Sequence, residues 1–381
     1  MLPLELITHS TSGPRPAAEE PEGEAGPLAG LNAEQRAAVL DESRAVAVVA
    51  GPGTGKTKTL VSRIAWMIGQ RGIRPAEITA VTFTNQAAGE MRARLEQELG
   101  KRAVRGLTVG TFHAIALDLL RQRREPVRLL AEQDALAEAA GVLEALGHKG
   151  SPRKLLQEVS RRKTGLKLEG GGDEAACTAY AARLKELGAL DFDDLLLAAL
   201  AAAEEGAPDR RFRHLLVDEF QDTSQMQIDM IARLAGPSLA HLCTVGDAQQ
   251  SIYRFRGADV GVYEEHKRVM RSDAVGACYV ELRKNFRSHA DVLSFVDRVF
   301  EQPHVFGDAF MSLAPHEGRA SRYRGHAPRI DLVLAELPPG RNAGAGTADA
   351  KRVCARAVAR RFAALRDDGH APGEMVVLLG K

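Results

Sequence analysis

The sequence predicts an α/β protein: a mainly parallel sheet with helices on both faces, interrupted by an all-helical insertion. Three observations predict it. Short apolar, β-branched runs alternate with segments of helical periodicity. The first of these runs leads directly into the Gly-rich stretch "GPGTGKT", which belongs between a parallel strand and a helix. From about Arg121 to Leu190 strand signals disappear, and Ala, Leu, Glu and Arg dominate.

The elements follow in order. Residues 11–30 are rich in Pro, Gly, Ala and Glu, and residues 1–30 together read as a disordered lead or linker. Order is expected from Leu31. "AVAVVA" (Ala45–Ala50) reads as a buried strand, and "KTLVSRIAWMIGQRG" as a helix with a Gly stop. "EITAVTFT" is the next strand and "NQAAGEMRARLEQEL" the next helix; "LTVGTFHAIALDLL" repeats the pattern. The insertion carries a basic run, Lys149 to Lys167, which suits either a solvated helix face or a contact with duplex phosphates. "HLLVDEF" and "LCTVGD" return to buried strands. "CYVELRKNFRS" is expected to open a second α/β unit, which closes on a strand in "EMVVLLGK". The expected division is 31–120 plus 190–280 for a first α/β domain, 121–189 for the insertion, and 281–381 for the start of a second domain.

Composition bounds the function. A chain of 381 residues supports two or three domains, and 45% hydrophobic with 27% charged residues is ordinary for a soluble protein. The net charge of +1 leaves room for a nucleic-acid partner, because such binding needs a basic groove and not a basic chain. The four cysteines (Cys177, Cys243, Cys278, Cys354) form no CxxC pair, so neither a zinc site nor a disulfide framework is read, and a reduced cytoplasm fits. The start "MLPLELITHS" lacks the features of a signal peptide, and no segment approaches a membrane span.

The chemistry concentrates at two places. In "GPGTGKT" (Gly51, Pro52, Gly53, Thr54, Gly55, Lys56, Thr57) the glycines let backbone N–H groups curl around phosphates. Lys56 reaches the β/γ-phosphates, the Thr57 hydroxyl belongs on Mg²⁺, and the helix N-terminus adds favourable partial charge. This makes ATP and Mg²⁺ the expected cofactors, with Lys58 beside them in the same turn. In "LLVDEFQD" (Leu215–Asp222) a strand ends in paired carboxylates. Asp218 suits Mg²⁺, directly or through water, and Glu219 suits the orientation of an attacking water.

With these residues in view, the chain resembles the superfamily 1 DNA helicases of the UvrD/Rep/PcrA type. The resemblance rests on an ordered series spanning residues 31–288: "LNAEQRAAV", "AGPGTGKT", "VTFTNQAAGEMRARL", "GTFHAIA", "LDFDDLL", "VDEFQDTSQMQ", "VGDAQQSIYRFRGAD" and "LRKNFRS". It implies a RecA-like P-loop NTPase fold, with the insertion and partial second domain as above. It implies that Gln35 reads the adenine edge, that Gln250 senses the γ-phosphate, that Arg287 reaches it, and that Phe286 stacks on the adenine. Single-stranded DNA is implied along Thr82, Phe83, Asn85, Thr111, Phe112 and His113, with Tyr253, Phe255 and Arg256 stacking on or gripping the strand. Phe83, Phe112, Tyr253 and Phe255 suit core positions as well. Where the family commonly has Trp this chain has Phe255, and where it commonly has Lys it has Gln86; the second change removes a positive charge near the strand.

The implied activity is ATP-driven movement along single-stranded DNA, 3′ to 5′, coupled to unwinding at single-strand/duplex junctions in repair or replication. The family's later motifs, of the "SKGLE" and "ALTRA" kinds, do not occur in these 381 residues. The 381-residue chain is therefore expected to bind ATP, hydrolyse it slowly and leave duplexes intact. A fragment, a split gene and a natural truncation all fit, and a partner protein could supply the rest. Two other readings stay open: the motor of a helicase–nuclease, and an ATP- and DNA-binding module without motor activity.

Overall fold

The computed structural model describes residues 26–123, 127–165, 173–204, 209–236, 240–252, 260–272, 277–307, 310–319 and 346–377. Two compact units are distinguished, one running to Ser321 and one from Arg322.

The first unit begins with turns at 26–30 and helix α1 (Ala33–Leu40). Asn32 and Gln35 close a reciprocal capping box at its N-terminus. Strand β1 (Ala45–Ala50) leads through the Gly-rich turn into α2 (Lys56–Gly69). Then come β2 (Ile78–Val81), α3 (Asn85–Leu99), β3 (Thr108–Gly110) and α4 (Phe112–Gln122). Helices α5 (Glu132–Ala145), α6 (Pro152–Lys163) and α7 (Glu174–Glu186) form the insertion, and α8 (Phe192–Glu204) returns the chain to the sheet domain. Strand β4 (His214–Val217), α9 (Gln225–Ala235), β5 (His241–Gly246), α10 (Val260–Arg271) and β6 (Cys278–Leu282) complete the sheet.

The six strands lie in the order β3-β2-β4-β5-β1-β6, and every pairing is parallel. Both faces are covered, as an all-parallel sheet requires. Alternate residues of one strand feed different cores: Ala45 and Ala47 pack with α4, α8 and α9, whereas Val46, Val48 and Ala50 pack with α1 and α2. Arg63 is 1% exposed and donates to the carbonyls of Ala38, Val39 (3.0 Å) and Asp41 (2.8 Å). Its two terminal nitrogens thereby cap α1 with a buried charge, while Nε is left without a partner. The insertion has its own core, centred on Tyr180, Leu184 and Ala139. Its ends meet at the isolated bridge Leu129–Leu190.

The segment expected to open a second α/β unit departs from that reading. Cys278–Leu282 pairs with β1, Val46 opposite Cys278 through Ala50 opposite Leu282, and becomes the edge strand of the first sheet. Its Leu282 is fully buried in the α1–α2 core, which fixes the strand there. The short pair β7 (Lys284–Asn285) and β8 (Ala314–Pro315), with α11 (Ala290–Phe300), also belongs to the unit that runs to Ser321. In the second unit, α12 (Gly346–Asp367) is the long element. Met375–Val377, within the expected closing strand, is not a strand, and residues 378–381 lie outside the described residues. Among the described residues no helix is long and apolar enough to cross a membrane.

Candidate functional site

A parallel sheet brings the carboxyl ends of all its strands to one edge, and this edge is where the sequence placed its chemistry. Strands β1, β4, β5 and β6 deliver the turn Gly51–Thr57, the pair Asp218–Glu219, the loop from Asp247 and the segment Arg283–Arg287. Strands β2 and β3, at the other side of the sheet, deliver Thr82 and Thr111.

The phosphate-type turn is held from several sides. Gly53 (φ 73°) and Gly55 (φ 88°) take left-handed conformations that favour glycine. Thr54 Oγ1 donates to Gly51 O (2.7 Å), closing the turn on itself. From α1, Gln35 Nε2 donates to Thr54 O (2.8 Å), while Gln35 Oε1 accepts from Asn32 N (3.0 Å). From beyond β6, Asn285 Nδ2 donates to Pro52 O (2.6 Å) and Phe286 N to Gly53 O (2.8 Å). Asn285 Oδ1 accepts from the N–H groups of Arg287 and Ser288. A Cβ on Gly53 would lie 2.8 Å from Arg287 Cβ.

Lys56, the first residue of α2, reaches across to two other loops. Its Nζ lies 3.1 Å from Glu219 Oε2 and donates to Gln250 Oε1 at 2.8 Å. Glu219 has φ 50°, the single left-handed non-glycine among the described residues. Such strain costs about 1–3 kcal/mol and is typical of functional sites. It is supported here: Asp218 Oδ1 accepts from Glu219 N (3.0 Å), and Gln221 Nε2 donates to Glu219 Oε2 (2.8 Å).

Burial, with the charge of Glu219 beside it, pushes the Asp218 carboxyl up to about 7. The same two causes raise Asp222 to about 6, and burial raises Asp247. Asp222 Oδ1 and Asp247 Oδ2 are buried without a hydrogen-bond partner. Buried carboxylate oxygens left short of donors fit a site that a cation would complete. Mg²⁺ takes one or two carboxylates plus substrate phosphates, so this donor set suits it without a dedicated cage.

Other expected residues have different settings. Gln35 is 1% exposed and its amide holds the turn, Nε2 donating to Thr54 O and Oε1 accepting from Asn32 N, which uses one of its two N–H donors and one of its two lone pairs. Lys58 turns away from the phosphate side to the Gly30 carbonyl, with Glu98 nearby; burial lowers its pKa. Thr57 is half-buried in the first turn of α2. Phe286 is half-buried against His316, ring centres 5.0 Å apart, and Arg287 is exposed.

On the β2–β3 side, Thr82 and Phe112 are buried and cannot line an open channel. Thr82 hydrogen-bonds Thr84 O, and Phe112 packs into the α4–α8 core because it begins α4 on the helix's inward face. Thr111 caps α4, Phe83 is half-buried and Asn85 is exposed at the start of α3. His113 meets Phe192 edge-on at 5.3 Å, and burial lowers its pKa. Phe192 is 48% exposed. The sequence offered it only as part of "LDFDDLL"; the signal for it is an aromatic at the start of a helix whose inward positions are Leu and Ala. Tyr253, Phe255 and Arg256 lie outside the described residues. In the basic run, Lys163 is engaged by Asp191 (2.6 Å) and Asp194 (2.7 Å), whereas Arg153, Lys154 and Arg161 are exposed.

Comparison with known proteins gives the family. The family model described as the UvrD/REP helicase N-terminal domain matches residues 31–271. The chain is 36% identical over 307 residues to "ATP-dependent DNA helicase UvrD1" of Mycobacterium tuberculosis, covering 71% of this chain and 39% of that protein. It is 33% identical over 300 residues to "ATP-dependent DNA helicase PcrA" of Bacillus subtilis (72% and 40%). It is 33% identical over 304 residues to "ATP-dependent DNA helicase Rep" of Escherichia coli (72% and 44%). The chain thus spans well under half the length of the curated relatives it matches.

Proposed function

Because the chain belongs to the UvrD/REP helicase N-terminal domain family, we propose that it works in ATP-driven movement along single-stranded DNA, 3′ to 5′. This movement separates strands at single-strand/duplex junctions in DNA repair or replication, in the cytoplasm. The observation that carries the reading is the convergence on Lys56, whose Nζ meets both Glu219 and Gln250 from separate strands at the carboxyl edge of the sheet.

The residues divide the work as follows. Backbone N–H groups of Gly53–Thr57 and the N-terminus of α2 receive the phosphates. A γ-phosphate competes with Glu219 and Gln250 for Lys56, so nucleotide binding releases both side chains. Glu219 is then free to orient a water, and Gln250 to meet the phosphate. Thr57 and Asp218 are the groups that would hold Mg²⁺, which when bound neutralises charge on the phosphate oxygens. Arg287, tied through Asn285 to the turn, would approach the γ-phosphate, and Phe286 would stack on the base. Asn85, Thr111, His113 and Phe83, with Tyr253, Phe255 and Arg256, form the DNA side. Phe192 joins them as an exposed ring suited to stacking.

Steady-state ATPase with and without oligo-dT tests the reading. Slow turnover by the 381-residue chain alone, and DNA-stimulated turnover once segments bearing the "SKGLE" and "ALTRA" kinds of motif are supplied with it, both abolished by Asp218→Asn, are the expected results. ATP and DNA binding without stimulated turnover would instead mark a binding module without motor activity.

A further inference from the structure

We propose that Gln221 is a positioning residue that couples the nucleotide end of the site to the loop leading toward the DNA side. The proposal rests on the function argued above and assigns the coupling to one side chain.

Gln221 is 1% exposed, and its amide is used at both ends. Nε2 donates to Glu219 Oε2 (2.8 Å) and Asp222 Oδ2 (3.1 Å). Oε1 accepts from Asp247 N (2.9 Å), and its backbone carbonyl accepts from Ser251 Oγ (3.2 Å). Only one amide orientation satisfies these partners: carboxylates need the N–H₂ end and a backbone N–H needs the oxygen. Gln221 therefore holds both ends of the loop Asp247–Ser251, and Tyr253 follows two residues on.

The oxygen it grips is the one Lys56 grips. Glu219 Oε2 receives both the Lys56 ion pair and the Gln221 hydrogen bond. A phosphate that draws Lys56 away leaves that carboxylate to Gln221 alone, which strengthens and redirects the bond. The change reaches Asp247 N through the same rigid amide. There is little slack, because Gly246 beside it has no room for a Cβ: one placed there would lie 2.9 Å from Gln221 Oε1 and 2.7 Å from the Tyr263 ring. Lys56 also holds Gln250 in the same loop, so the loop is tied to the phosphate end at Asp247, Gln250 and Ser251.

Coupling is a free energy shared between two binding events, so it is read from a cycle. The probes are fluorescent oligo-dT and a non-hydrolysable Mg²⁺–ATP analogue, with the full 381-residue chain at one salt concentration. In the wild type each ligand should change the other's affinity by the same factor, on the order of 5–150-fold. In Gln221→Met, which keeps the volume and removes every side-chain hydrogen bond, both ligands still bind and the factor falls to within about twofold of unity. Gln221→Glu keeps the acceptor toward Asp247 but repels Glu219 and Asp222, and should lose the factor too. It decides the matter if the methionine variant fails to fold. A purely structural role would lower the melting temperature and leave the factor intact, which overturns the proposal. A wild type that binds both ligands with no mutual effect also overturns it while the functional reading stands. A wild type that binds neither ligand overturns both.

Discussion

Lys56 shows how much one residue position can carry. It begins α2 by way of a left-handed glycine, and its ammonium is shared between a carboxylate at 3.1 Å and an amide oxygen at 2.8 Å. Lys56→Ala should abolish measurable Mg-ATP binding in a calorimetric titration, because no other cation reaches into this turn from α2: Lys58, two residues on, faces Gly30. Unchanged affinity would remove the site assignment. At this scale the sequence was legible where spacing dictates backbone shape, as in Gly53, Gly55 and Lys56. It was not legible for side chains whose partners are distant in sequence. Gln35 meets Thr54, Phe112 meets α8, and Gln221 meets Asp247; each choice depends on which strands become neighbours.

Two elements show how local charge is tuned by packing. Helix α6 is basic, and its last residue, Lys163, is tied to Asp191 and Asp194 at the start of α8, with all three side chains mostly buried. Lys163→Met leaves two carboxylates facing each other and should cost about 1–3 kcal/mol in denaturant unfolding. Pairing it with Asp194→Asn should recover part of that loss, so a strictly additive double mutant would show that the ion pair does no stabilising work. Helix α10 carries His266, buried against Phe220, with Nε2 2.9 Å from Thr244 Oγ1. Burial drives its pKa down to about 4. The imidazole is therefore neutral in the folded protein, and its contribution is complete above the unfolded value near 6.5. That contribution is lost as pH falls toward 4, at about 1.4 kcal/mol per pH unit where the unfolded chain carries one more proton. The raised carboxyls of Asp218 and Asp222 act in the opposite sense, so the test is a difference between chains. Between pH 6.5 and 4.5, His266→Gln should lose less stability than the wild type in urea unfolding; parallel curves would refute the assignment.

Across the whole molecule, the sheet was legible because its strands are short apolar runs and its helices are periodic, and both patterns are local. The end of the first unit was not, because "CYVEL" reads equally well as the first strand of a new sheet or the last strand of an old one. Register decides it. Cys278–Leu282 lies beside β1, and the residues just after it hold the phosphate-type turn through Asn285 to Pro52 and Phe286 to Gly53. Two shortened chains separate the alternatives. One ends at Ser321 and keeps β6, Asn285 and α11; the other ends at Ala277 and keeps every residue of "GPGTGKT" and "VDEFQD" but leaves β1 as a bare edge. The longer chain should unfold cooperatively and keep its affinity for the ATP analogue within about threefold, since about 0.7 kcal/mol is all that a threefold change represents. The shorter should aggregate or melt earlier, because an apolar central strand becomes an unpaired edge, and should lose nucleotide affinity although Lys56 and Asp218 remain. Equal stability and equal affinity in the two chains would mean that β6 and the loop after it belong to a separate unit, and that the turn holds its shape without them.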